Sequence, residues 1–311
     1  MESQSLLLMR PYALEWVTER LAEPGAGEAL VRTTAGAVSV GTEAPQYTGA
    51  ERVIVARGYP RMTGYKSIGV VLATGEGVDT VAPGERVVAF YGHRTHAIVP
   101  AEKLLRIPPE IPDTLALLAI LSCEAAKGVR KLAPEPDTTT LITGAGAIGL
   151  LTLFILREYG VRQVDVIEPR AERRALALRL GARQALAPEQ ATQLRDVYQA
   201  GFECSSRNAA FALLQERMAP GASICVLADG NIEPLALAPA FHASELRLVA
   251  SSDGWDYQRH AAWYFSRALA SRAELEALFE VETMAEDLPS LFARMVGDPT
   301  TPLKIYVRYP G

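Results

Sequence analysis

The sequence predicts an α/β protein in two parts: a doubly wound parallel six-stranded sheet in the middle of the chain, and a β-rich, barrel-like N-terminal domain to which the C-terminal segment returns. Three observations carry that expectation. Residues 140–169, TLITGAGAIGLLTLFILREYGVRQVDVIEP, read as strand, glycine turn, apolar helix and second strand ending in an acid. From there to residue 252 short apolar runs alternate with helical patterns, as parallel strands with crossover helices do. Ahead of it, from residue 4 to about 112, β-rich pieces are separated by Gly, Pro and acidic turn residues.

Taken in order, the N-terminal strands are SLLLM (5–9), EALVRTTAGAV (28–38), SIGVVLAT (67–74), ERVVAFYG (85–92) and THAIVP (95–100). Asp113 and Thr114 then open an apolar helical stretch that the Pro134 and Pro136 pair closes, the helix expected to link the two domains. The sheet strands follow as LITG (141–144), VDVIE (164–168), QALA (184–187), FECSS (202–206), SICVLAD (223–229) and LRLVASS (246–252). Helices are expected over 147–159, 173–180 and 208–218, with a short polar helix before FECSS. Beyond residue 252 come helical stretches at 259–279 and 285–296 and a last strand, LKIYVRY (303–309). The expected domains are therefore 1–115 with 255–311, and 116–254.

The glycine turn points to a dinucleotide. Gly144 permits the tight turn after the strand, Gly146 leaves no side chain where a pyrophosphate approaches, and Gly149 lets the helix pack closely on the sheet. Ala147 and Ile148 open the helix, whose N-terminus faces the phosphate charge. Glu168 lies 19 residues beyond Gly149 (168 − 149), close to the roughly 20-residue spacing of an acid that holds the adenosine ribose hydroxyls. Such an acid repels a 2′-phosphate, so NAD is expected; Arg170, Arg173 and Arg174 follow directly and keep NADP open. Ser205 and Asp229, at strand ends, are second-rank cofactor contacts.

Bulk properties exclude several classes. A chain of 311 residues with 49% hydrophobic and 22% charged side chains has the composition of a globular protein. A net charge of −5, with Lys and Arg never gathered into a run, gives no footprint for nucleic acid. The longest apolar stretch, 147–156, falls far short of the roughly 18 residues a membrane span requires. The first residues carry no secretory pattern, so the cytoplasm is the expected location. Cys123, Cys204 and Cys225 are too far apart for a disulfide framework or a CxxC site. His93 and His96 form an H-x-x-H pair without a nearby Cys or well-spaced carboxylate, and read as solvated or substrate-facing; His242 and His260 are isolated and read as surface or packing residues.

The order of VGTE (40–43), GYKSIGVV (64–71), PGERVV (83–88), VPAEKLLRIP (99–108), the glycine turn and LKIYVRY resembles the medium-chain dehydrogenase/reductase superfamily over nearly the whole chain. The resemblance implies a Rossmann domain, a GroES-like barrel completed by the C-terminal segment, and NAD(P)-dependent oxidoreductase activity. It also marks departures from the zinc-dependent alcohol dehydrogenases of that superfamily. Those enzymes usually carry Cys where Val40 stands and Gly-His-Glu where Gly64, Tyr65 and Lys66 stand. Only Cys123 matches a remaining ligand position, and one thiolate cannot hold a Zn²⁺ that needs three protein ligands. The cysteine-bearing lobe is absent, because the chain runs straight through YGHRTHAI (91–98). No metal is expected.

Without zinc, a side chain must donate a proton and stabilise charge on the reacting oxygen. Tyr65, at the vacated histidine position, is the lead acid/base, with Lys66 beside it placed to lower the phenol pKa. Thr42 corresponds to the hydroxyl that relays protons in the zinc-dependent relatives. Plainer readings stand beside these: Tyr65 packing in a site wall, Lys66 as a solvated charge, Thr42 satisfying a turn, and Glu43 holding backbone or an arginine. The expected reaction is hydride transfer between NAD(H) and a carbonyl or secondary alcohol of a bulky small molecule. The lobe-less architecture is similar to the bacteriochlorophyllide hydroxyethyl dehydrogenase branch. Alternatives are an NAD(P)H-dependent quinone or enoyl reductase and a non-catalytic nucleotide-sensing or partner-binding protein. The edge strand at 246–252 leads to the expectation of a homodimer.

Overall fold

The computed structural model describes residues 1–50, 58–64, 66–194, 197–228, 233–296 and 302–310. Of the expected site residues, Tyr65 and Asp229 lie outside the described residues. Along the chain the elements are β1 (Glu2–Arg10), β2 (Ala13–Arg20), β3 (Glu28–Val38), α1 (Val40–Thr48), β4 (Arg61–Met62), β5 (Lys66–Thr74), β6 (Arg86–Phe90), β7 (His96–Pro100) and β8 (Leu105–Arg106). There follow α2 (Asp113–Leu132), β9 (Thr140–Thr143), α3 (Ala147–Glu158), β10 (Val164–Ile167), α4 (Ala171–Arg179), β11 (Gln184–Leu186), β12 (Tyr198–Glu203), α5 (Asn208–Glu216) and β13 (Met218–Val226). The chain closes with α6 (Pro239–Ala243), β14 (Arg247–Ala250), α7 (Tyr257–Ala268), α8 (Arg272–Glu276), β15 (Phe279–Met284), α9 (Leu288–Met295) and β16 (Lys304–Arg308).

Two compact units result. One comprises Met1–Ile120 with Leu278–Gly311, the other Leu121–Ala277. The division groups residues 255–277 with the second unit, whereas the sequence assigns them to the first; the reason lies in α7, where Tyr264 packs edge-on against Phe154 of α3 and His260 bonds Ser122 of α2.

In the second unit the six strands run β11-β10-β9-β12-β13-β14, all parallel, the doubly wound order in which the strand sequence reverses between β9 and β12. β9 and β10 are buried throughout, as parallel strands covered on both faces should be. α3 is buried over nearly its whole length, from Gly149 to Leu156.

The first unit carries two sheets. One runs β15-β16-β3-β5-β6-β8, with β7 also paired to β3, and the other is β2-β1-β4. The C-terminal strand β16 lies antiparallel to β3, so the end of the chain returns to the N-terminal sheet as the sequence leads one to expect. Leu6, Leu8, Val38, Val40, Ile305 and Val307 build one apolar core there.

Three elements depart from expectation. The VGTE segment is not a turn but the start of α1, a helix that carries Pro45 in its interior and forgoes one i→i−4 hydrogen bond there. Strand β2 reads as polar because, among the described residues, it pairs with β1 alone and leaves its charged residues exposed. The expected helix 259–279 stops at Ala268; after α8 the chain turns to strand as β15, which pairs with β16 in parallel.

Candidate functional site

The glycine turn joins β9 to α3. Gly144 has φ +91, and a Cβ there would stand 2.9 Å from Ser205 Cα, so both backbone conformation and room exclude a side chain. A Cβ on Gly149 would stand 1.9 Å from the Gly144 carbonyl oxygen, the close helix-to-turn packing expected of it. Gly146 is different. Its φ of −72 suits any residue, and a Cβ there meets nothing within 4 Å. The protein itself gives no reason for glycine at this position. Gly146 is the N-cap of α3 and no side chain caps the helix, so the first-turn N–H groups of Ala147 and Ile148 keep their capacity for an outside acceptor.

Glu168 directly follows β10, with its carboxylate folded back on the turn: Ala145 N–H donates to one oxygen at 2.7 Å and Arg170 N–H to the other at 3.0 Å. A carboxylate oxygen accepts two hydrogen bonds, so each oxygen keeps a site for a ribose hydroxyl. Arg174 is spent on the backbone, donating to the Glu168 and Pro169 carbonyls at 2.8 and 2.6 Å. Arg173 is half-buried in the first turn of α4.

At the end of β12, Ser205 is partly engaged by the protein and keeps one acceptor site. Its hydroxyl donates to the Glu203 carboxylate and accepts from Arg207 N–H at 3.0 Å. Glu203 is wholly buried, and burial pushes its carboxyl above the ordinary range against the bonds from Ser205 and Ser206. Cys204 and Cys225 are buried, and burial raises both thiols, the ordinary behaviour of small apolar side chains.

In the first unit the expected residues around α1 join a polar cluster that no local sequence pattern links. Lys66 is not a solvated charge: it is 1% exposed, and its Nζ donates to Ser39 Oγ at 3.4 Å. Lys304 of β16, equally buried, donates to the same hydroxyl at 3.0 Å. Glu43 accepts from Ser39 N–H at 2.7 Å and pairs with His93 Nε2 at 3.1 Å, while Tyr309 OH lies 3.4 Å from His93 Nδ1. His93 is therefore neither solvated nor substrate-facing; it is fully enclosed. Its ring fills the space beside Gly64 (φ +67), where a Cβ would come within 2.4 Å of it. His96 parts from it and lines a separate pocket of about 320 Å³ with Arg32, Thr95 and Tyr309. Thr42 sits half-buried in the first turn of α1. No single motif could have revealed Lys304 or Tyr309; the only hint is a lysine beside the apolar residues of the last strand.

Val40 packs in the apolar core. The Cys123 thiol is buried, is held above its usual pKa first by that burial, and donates to the Trp255 carbonyl at 3.4 Å. Among the described residues no three His, Cys, Asp or Glu side chains gather into a metal-binding group. Nor is any helix among them long and apolar enough to cross a membrane. His242 is exposed and His260 buried against Ser122, the surface and packing roles expected.

No family model matches the chain. Among curated proteins it is 29% identical over 299 residues to the 2-desacetyl-2-hydroxyethyl bacteriochlorophyllide A dehydrogenase of Cereibacter sphaeroides, covering 89% of this chain and 87% of that protein. It is 28% identical over 208 residues to an L-threonine 3-dehydrogenase of Anaeromyxobacter, covering 54% of this chain and 60% of the relative. Among solved structures it superposes with TM-score 0.83 and 20% identity on a short chain alcohol dehydrogenase from E. coli CFT073 complexed with NADH, over 99% of both chains. The 2R,3R-butanediol dehydrogenase of Bacillus subtilis gives TM-score 0.83 at 17% identity, over 99% of this chain and 100% of that one. At such identities the structural matches show the fold, and the curated relatives carry the kinship in sequence. The chain is a homologue of the medium-chain dehydrogenases/reductases and has their fold.

Proposed function

We propose that the chain is an NAD(P)-dependent dehydrogenase, preferring NAD(H), that works without zinc on a carbonyl or secondary alcohol of a bulky small molecule. The observation that carries the reading is Gly146: glycine stands where neither backbone conformation nor any neighbouring protein atom demands it, at the uncapped N-terminus of α3. A pyrophosphate lying on that N-terminus supplies the missing reason. Glu168, with acceptor sites to spare and no basic side chain donating to its carboxylate in the described hydrogen bonds, supports NAD(H) over NADP(H).

The nicotinamide ring, when bound, supplies or accepts the hydride. The chain's own groups do the rest. The α3 N–H groups and the glycine turn hold the phosphates, and Glu168 holds the adenosine ribose. Thr42 hydrogen-bonds the reacting oxygen; Tyr65 gives that oxygen its proton on reduction and takes it back on oxidation. The His93–Glu43 pair and the two buried lysines fix the start of α1, and so the place of Thr42. Incubation of the purified protein with NAD⁺ or NADP⁺ and a panel of bulky secondary alcohols, with and without a chelator, tests the reading. NADH formation that survives chelation is expected. Loss of the rate on chelation and its return with Zn²⁺, or no transfer with any substrate, contradicts it.

The chain is also proposed to dimerise through β14, which ends the strand order with its side chains largely exposed. Light scattering behind size exclusion should return twice the 33.6 kDa chain mass, and a monomer would refute the dimer.

A further inference from the structure

The carboxyl edge of the parallel sheet holds a group that the protein leaves unanswered. Ser206 follows β12 by three residues. It is 6% exposed, and its hydroxyl is buried without a hydrogen-bond partner. Leaving such a group unpaired costs stability, and native proteins rarely do it without cause. Ser206 also has φ +59, the left-handed region that glycine enters freely and serine does not. The strain is actively held: Ser206 N–H donates to the Glu203 carboxylate at 3.3 Å, and the other oxygen of that buried acid accepts Ser205 N–H at 2.8 Å. Ser205 in turn is wedged against Gly144. A buried carboxylate is thus used to press this turn onto the glycine turn and to keep serine in a conformation that serine resists.

The sheet order says what lies there. The strand sequence reverses between β9 and β12, and in doubly wound sheets ligands bind outside the carboxyl ends of the strands at that point. Glu168, at the end of β10, marks the adenosine side; the glycine turn after β9 marks the pyrophosphate. A dinucleotide extended in the same direction would bring its second ribose to the end of β12 and its far end toward β14. A second buried hydroxyl without a partner, Ser251 Oγ, stands just past β14 on the same edge, two strand spacings or about 10 Å further on.

We infer that Ser206, set in its strained turn by Glu203, hydrogen-bonds the nicotinamide-side ribose of the bound dinucleotide, with Ser251 serving the nicotinamide end. Ser205, a second-rank cofactor contact in the sequence, is a positioning residue here. The inference rests on the proposed nucleotide site and adds to it the residue that reads the second half of the ligand.

Calorimetric titration of Ser206→Gly, Ser206→Ala and the wild-type protein with NADH and, separately, with ADP tests it. ADP carries the adenosine and pyrophosphate but lacks the nicotinamide half. Both substitutions should weaken NADH about 5- to 10-fold, the worth of one hydrogen bond, and leave ADP affinity unchanged. Ser206→Gly should unfold at the wild-type temperature or above, because glycine relieves the positive φ. Unchanged NADH affinity in both variants overturns the inference and makes the hydroxyl's partner water; an equal loss for ADP overturns it by moving the contact to the other half. A wild-type protein that binds neither ligand refutes the nucleotide site itself, a result distinct from the other two.

Discussion

Two buried polar regions, one in each unit, are built on opposite terms. At the start of α1 every charged group answers another part of the chain: Glu43 takes Ser39 N–H and His93, His93 turns its other nitrogen to Tyr309, and Lys66 and Lys304 share the Ser39 hydroxyl. At the carboxyl edge of the parallel sheet the accounts stay open. Ser206 and Ser251 bury hydroxyls with no partner, Gly146 faces empty space, and no side chain caps α3. Burying polar groups is thus not in itself the mark of a ligand site. What marks one is hydrogen-bonding capacity left over after the protein has satisfied itself, since that remainder is costly unless something else takes it up.

The contrast can be broken from the closed side first. Glu43→Ala leaves His93 and Ser39 N–H buried without their acceptor, and should cost about 3–5 kcal/mol in urea unfolding; a loss under about 1 kcal/mol would mean that the cluster is not coupled. Gly149→Ala forces a Cβ onto the Gly144 carbonyl and should cost about 1–3 kcal/mol, whether or not nucleotide is present. An unaltered unfolding midpoint would refute the close packing.

A pH dependence sharpens the comparison in the second unit. Burial, aided by the charge of Arg130, pulls the His260 pKa down from 6.5 to about 4. With the folded value depressed, the unfolded chain takes up a proton that the folded chain refuses, so stability is full above about 6.5 and falls as pH drops toward 4. The urea midpoint should decline across that window, and His260→Asn should flatten that part of the curve; an equal slope in both proteins would rule out His260 as its source. Asp165 acts at lower pH. Burial alone would raise its carboxyl, but Arg183, Tyr198 and Gln184 outweigh that and hold it below the usual range, so its contribution is lost only as pH falls beneath ordinary carboxylate values.

The smallest expected change in stability is at Gly146→Ala. Its Cβ meets no protein atom, so folding should shift by less than about 1 kcal/mol, the N-cap difference between the two residues.

Much of the second unit is legible in the sequence because steric rules act locally there. Glycine spacing, apolar runs and turn residues are read within some 30 residues of each other, and the strands expected from them pair in the doubly wound order. The cluster at α1 was not legible. It draws on residues 39, 43, 66, 93, 304 and 309, and no local pattern links them. Helix α1 was missed because Gly41 and Pro45 argue for a turn, and β15 because its period was hidden beside a helical stretch. Ser205 and Ser206 are indistinguishable as adjacent letters; the sign of φ and the reach of Glu203 separate their roles.

The most direct measurement is calorimetric titration of the wild-type protein and Gly146→Ala with NADH. One NADH per wild-type chain is expected, with affinity reduced roughly 10-fold or more in a variant that folds as well as the parent. A wild-type protein that binds neither NADH nor NADPH at millimolar concentration, or a Gly146→Ala variant that binds as tightly as its parent, would contradict the account.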